Sequence, residues 1–168
     1  LDRLSNKIDI SIVERENGQM SVLLSGHMLV EGDTISHLRI RQVPRDGQAV
    51  SEIVFADDGS VASVREGQLR GLIDVRDGVV PDMLNRLDKM AEGLVARVNE
   101  LHRSGYGLDG SPGTNFFDPE NVSASNLSID SAIIENLDNI AASSDGNSGD
   151  NGLALAISAV RNEGILDE

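Results

Sequence analysis

The first pattern along the chain has a period of two. Ile8, Ile10 and Ile12 alternate with Asp9 and Ser11, as in a strand with one buried face. Asn17-Gly18 follows, a pair that tolerates positive φ and so predicts a tight hairpin, and Met20, Val22 and Leu24 resume the alternation on the return. Gly26 and Gly32 bracket a short apolar piece from His27 to Glu31. Two further runs, His37 to Val43 and Ala49 to Ala56, are separated by Pro44-Arg45-Asp46-Gly47, and Asp57-Asp58-Gly59 turns the chain into Ser60 to Arg65. Residues 8–66 therefore predict a small antiparallel β meander, preceded over 1–7 by the end of a helix.

The period lengthens at Gly67. Leu69, Leu72, Ile73 and Arg76 predict a short helix ending near Gly78, and Pro81 suits the first turn of a new helix, where its missing N–H breaks no bond. Val80, Leu84, Leu87, Ala91, Leu94, Val98 and Leu101 then recur at alternating spacings of four and three, a heptad seam. Asp82, Asn85, Arg86, Lys89, Glu92, Arg97 and Glu100 fall on the polar side. Gly105 stands where a left-handed cap would end the helix. Residues 67–104 thus form a helical region with one long helix over about 80–104. A helix this amphipathic needs packing partners. They are helices of the same subunit or of neighbouring subunits, and the pattern leaves both open.

Beyond the helix the signal weakens. Residues 105–125 are rich in Gly, Ser, Asn, Asp and Pro and predict a long loop. Residues 126–168 read as a mixed region: a short strand at Asn126 to Asp130, weakly periodic helical stretches from Ser131 to Ala142, and a polar turn from Asp145 to Asp150. A final helix follows over about 152–162, capped by Asn151, with Leu153, Ala156, Ile157 and Val160 on its face. The fold class is α+β: a meander, a long helix and a short helical C-terminal region.

Composition narrows the functions. Only 2% of residues are aromatic, so the core is expected to be aliphatic. The net charge of −14 is uneven. Residues 105–168 carry 11 acidic residues and one basic residue, Arg161, for a net −10. Such a surface repels phosphate, which argues against nucleic acid and anionic membrane as partners. The chain has no cysteine, which excludes disulfides and thiolate metal sites. No stretch has the length of apolar sequence needed to span a bilayer. The sequence opens in what reads as the last turns of a helix, and is expected to be an internal piece of a longer chain.

Chemistry-bearing motifs are sparse. Gly105, Gly107 and Gly110 have dinucleotide-motif spacing, but that motif needs a strand before it and a helix after it, and here it leaves a helix and enters a loop. His27, His37 and His102 sit on three separate elements, without ligand spacing. No Gly-x-Ser-x-Gly elbow occurs. The Asp109 to Asn115 loop lacks calcium-loop spacing. Carboxylates are too numerous for any pair to stand out. The expectation is no catalytic residue, no cofactor and no metal site.

One ordered run does stand out. Gly67-Gln68-Leu69-Arg70-Gly71-Leu72-Ile73-Asp74-Val75-Arg76-Asp77 leads into the Pro81 helix. Val98-Asn99-Glu100-Leu101-His102-Arg103-Ser104-Gly105-Tyr106-Gly107-Leu108-Asp109-Gly110 leaves it, followed by Phe116-Phe117. This closely resembles the flagellar hook-associated protein 1 family, the bacterial hook–filament junction proteins, with their "GxLxGLLDxRD" start, long helix and "VNxxHxxGYDLxG…FF" finish. Gly107 departs from the pattern. Leu1 to Val30, with Gly26 to Gly32, is similar to the family's helix-to-β transition. Asn126 to Ala142, Gly149-Asp150-Asn151 and Ala154 to Arg161 look like its later segment.

The resemblance implies a structural, non-enzymatic subunit that joins hook to filament, located in the extracellular flagellum. Its implied partners are other copies of itself, the hook protein and the adjacent junction protein. The family's terminal helical segments, which line the tube, are not in this sequence, so this piece alone is expected to be monomeric. Only about eight residues separate Phe117 from Asn126, too few for an inserted outer domain. The alternative is an extracellular binding or adhesion module using the acidic surface.

Overall fold

The structure is a computed structural model describing residues 1–16, 18–45 and 48–164. The chain divides into two compact units, Leu1–Pro81 and Asp82–Glu168.

In the first unit a short helix α1 (Asp2–Ser5) precedes a four-stranded antiparallel sheet of β1 (Ile10–Glu14), β2 (Met20–Leu24), β3 (His27–Glu31) and β4 (Thr34–Ile35), ordered as in the chain. A separate two-stranded ribbon pairs β5 (Leu38–Arg45) with β6 (Gln48–Phe55). The expected meander is present, divided between these two sheets. Asn17 of the expected first turn lies outside the described residues, as do Asp46 and Gly47 of the β5–β6 connection. Ser25 and Gly26 join β2 to β3 with positive φ at both positions, 52° and 84°, the requirement of a two-residue turn that follows the twist of its strands. Pairing in β3 skips Leu29, which bulges and is buried. Pro44, read from sequence as part of a turn, is instead paired with Ala49 inside the ribbon. A two-stranded ribbon has only edges, so the missing Pro N–H is tolerated. Ser60 to Arg65 contributes only a bridge, Val61 to Val54, rather than a strand.

Both sheets share one core with the helices of this unit. Ile8, Leu24, Leu29, Phe55, Ala62 and Val64 form its buried cluster, with Leu4, Ile53, Leu69 and Ile73 packed against it. The expectation of a purely aliphatic core is corrected here: Phe55, 1% exposed, is its largest member.

The helical region begins with α2 (Gly67–Asp74). Its first amides are capped by the chain leaving α1, Gln68 donating to Asn6 O and Leu69 to Lys7 O. Gly67 has a φ of 85°, and a Cβ there would lie 2.7 Å from the Lys7 carbonyl, so no larger residue fits. The expected break at Gly78 does not occur. A π-helical turn, Val75–Val79, connects α2 directly to α3 (Val80–Arg103), with Val80 N–H reaching back to Val75 O. Pro81 cannot donate to a carbonyl and its ring crowds the preceding turn. The wider π turn relieves both problems without ending the helix.

In the second unit α3 is followed by a loop and then α4 (Ser131–Glu135), a 3₁₀ turn (Leu137–Asn139), α5 (Gly152–Ala159) and a closing 3₁₀ turn (Val160–Asn162). The expected strand at 126–130 is reduced to a bridge between Phe117 and Ile129. Asn151 precedes α5 but makes no side-chain cap. Asp150 does so instead, its Oδ1 accepting from Gly152 N–H at 2.9 Å. Buried apolar residues of this unit are Ala91, Val95, Val98, Ile133, Ala141, Leu153 and Val160.

Candidate assembly surface and the node that orders it

The seam residues of α3 separate into two groups. Ala91 and Val98 are buried, at 8% and 6% exposure, and Leu94 and Leu101 are half-buried. Val80, Leu84 and Leu87 are exposed, Leu84 at 56% and Leu87 at 46%, and Met83 and Met90 lie open beside them. The buried face shares Ala91 and Val98 with the heptad seam and is rotated from it at the other positions. It runs through Ala91, Val95, Val98, Asn99 and His102. A straight α-helix turns 3.6 residues per turn, so its inward face drifts about 20° per heptad from a strict seven-residue seam. Val95 replaces Leu94, and His102 replaces Leu101.

Two polar residues on that buried face belong to the run that carries the family resemblance, though the sequence did not show their task. Asn99, 3% exposed, accepts at Oδ1 from the N–H groups of both Phe116 and Phe117, each at 2.9 Å, and donates from Nδ2 to Phe117 O at 2.9 Å. His102 is fully buried. Its Nδ1 lies 2.6 Å from Thr114 O, and its Nε2 accepts from Ala141 N–H at 2.9 Å. Only the neutral tautomer with the proton on Nδ1 satisfies both contacts. Arg103 adds a bond from Nη1 to Asn115 Oδ1 at 2.6 Å. The rings of His102 and Phe116 meet at 5.5 Å, and Phe116 and Phe117 pack edge to face at 5.0 Å. The signal available in sequence was the i,i+3 spacing of Asn99 and His102 beside the buried Val98, which puts both on one helix face.

The glycines after the helix serve close approach. Gly105 does not take the left-handed conformation expected of it. A Cβ there would collide with the Leu153 side chain and sit 2.7 Å from Ser143 O. At Gly113 it would collide with the His102 carbonyl. These glycines let the loop lie flat against the end of α3. Its amides are engaged: Tyr106 N–H donates to Ser143 O, Gly107 to Ser111 O, Leu108 to Asp138 O and Gly113 to Gly105 O, at 2.8–2.9 Å. A phosphate would find those donors occupied, so the three-glycine spacing builds no phosphate cradle.

Acid–base chemistry would need carboxylates whose environments push their pKa values apart. Asp150 is held far below the usual range by Ser144 Oγ, with the Ser144 and Gly152 amides assisting. Asp145, nearby, is also lowered, chiefly by the Asn147 amide and side chain. Both stay anionic, so neither is poised as a general acid. They fasten a polar turn. On α3, Arg97 binds Glu100 and Glu163, an exposed ion-pair cluster that raises the arginine and lowers Glu163. Among the described residues, no helix is long and apolar enough to cross a membrane.

Comparison with known proteins gives one family match. The profile described as "Flagellar hook-associated protein FlgK helical domain" matches residues 1–117. The match ends at Phe117, the residue that Asn99 holds by its carbonyl and amide. No curated protein matches the chain significantly.

Proposed function

Since the chain belongs to the flagellar hook-associated protein FlgK helical-domain family, a family of structural flagellar proteins, we propose that it is a non-enzymatic subunit that joins hook to filament by self-assembly. The observation that carries the reading is the family match through Phe117. The Asn99–His102 node supports it by giving the matched motif a physical task. That task is to order the loop after α3 and hold the helix as a rigid strut.

On this reading the strut presents Met83, Leu84, Leu87 and Met90 to helices of the surrounding assembly, where the apolar seam expected from sequence continues between subunits. Burying each of these side chains from its present exposure contributes about 1 kcal/mol or more. Together they stabilise a subunit contact without holding isolated copies together. Other copies of this chain, the hook protein and the adjacent junction protein are the partners. The extracellular flagellum is its place.

Deletion of the gene tests the proposal. Cells should retain hooks, lose attached filaments and stop swimming. Normal filament attachment and motility in the deletion strain would overturn it.

A further inference from the structure

The three histidines lie apart in sequence, yet the fold brings one of them to a pair of carboxylates. His27 opens β3, and Asp57-Asp58 follows β6; all three belong to the first unit. The turn is fixed by its backbone, with Ala56 N–H donating to His37 O at 2.7 Å and Gly59 N–H to Phe55 O at 2.9 Å. The imidazole is fixed as well, stacked on the buried Phe55 ring at 3.7 Å and 20°. Its Nε2 lies 3.5 Å from Asp57 Oδ2 and its Nδ1 lies 4.0 Å from Asp58 Oδ2.

We propose that His27, Asp57 and Asp58 bind a divalent transition-metal ion of the zinc class, with water completing its coordination. One ligand atom from each residue lies within 4.8 Å of the others. A tetrahedral ion with bonds of 2.0–2.2 Å needs its ligands about 3.4 Å apart; His27 Nε2 and Asp57 already approach this, while Asp58 faces the other ring nitrogen, Nδ1, and its carboxylate must swing toward the shared ion to complete the set. Asp58 is pre-oriented: its Oδ1 accepts from Ser60 N–H at 2.8 Å, leaving Oδ2 toward the ring. Asp57 is held by Ser36 Oγ at 3.2 Å through Oδ2, the oxygen that faces the ring. The three side chains are 30%, 50% and 52% exposed, so an ion reaches them from solvent. The imidazole selects the metal class: it suits Zn²⁺, Ni²⁺ and Cu²⁺, whereas Mg²⁺ and Ca²⁺ prefer oxygen-only sites. An ion here clamps the four-stranded sheet to the end of the ribbon inside one unit.

Calorimetric titration of the chain with Zn²⁺ tests the site, with the His27 ring nitrogens followed by NMR. The expected result is one saturable site with shifted His27 resonances. Affinity should fall at least tenfold in His27→Phe, which keeps a ring on Phe55, and in Asp58→Asn, and should be unchanged in His37→Gln. Three results would overturn the proposal: no saturation, binding that survives both His27→Phe and Asp58→Asn, or equal displacement by Ca²⁺, which would mean diffuse attraction to an acidic surface.

Discussion

Replacing Asn99 with alanine is the sharpest test of how the second unit is held together. The truncation removes an acceptor shared by two amides and a donor to one carbonyl, all at 2.9 Å. At about 1 kcal/mol net per hydrogen bond, the loss is about 3 kcal/mol. Stranded amides would add to it where water cannot reach them. Phe116 and Phe117 are only half-buried, so we take the lower figure. The chain has no tryptophan and a single tyrosine, Tyr106, which lies in this unit. Tyrosine fluorescence therefore reports unfolding of this unit specifically. With a urea dependence of about 1.5 kcal/mol per molar, the midpoint should fall by about 2 M. Arg103→Ala, which removes a single exposed hydrogen bond, should move it by less than about 0.5 M. A midpoint for Asn99→Ala within about 0.3 M of the native value would refute the idea that Asn99 orders the loop.

Two further outcomes follow from the same unit. Gly105→Ala should destabilise it by about 1–3 kcal/mol, read by the same urea titration, because the new Cβ has nowhere to go between Leu153 and Ser143. Asp150 is depressed on folding from an ordinary value of 3.8, so its contribution is fully present above that pH and is lost as pH falls below it through the folded value. Tyr106 fluorescence followed through acid titration should therefore show a shallower loss of stability below pH 3.8 in Asp150→Asn than in the native chain.

Much of the architecture was legible because it rests on local periodicity. Ile8 to Leu24 showed its period of two, Gly26 and Gly32 bracketed the short strand β3, and the alternating four-and-three spacing gave α3 almost to its ends. What escaped depends on distant partners or on two causes that share a symptom. Gly78 and Pro81 are strong local breakers, and nothing local reveals that a π turn absorbs them. Glycine at 105 is consistent with either a left-handed cap or a close approach, and only the position of Leu153 decides between them. Asn99 and His102 stood in the run that resembles the family, but their task was hidden because their partners lie 12–39 residues away. The heptad seam was real as a pattern, but only the second half of α3 has packing partners, so the seam is buried there and exposed along the first turns. His27 met Asp57 and Asp58 only through the pairing of two sheets with one core.

The most direct test of the account is complementation of the deletion strain with the native gene carrying Leu84→Glu and Leu87→Glu. Both residues are exposed in this chain, so its folding should change by no more than about 0.5 kcal/mol. Export should continue. The account predicts hooks without attached filaments, while a control substitution at the exposed polar Glu92 restores attachment. Filaments attached as in the wild type, with the double variant exported at normal levels, would contradict the claim that this face of α3 holds the subunit in the junction.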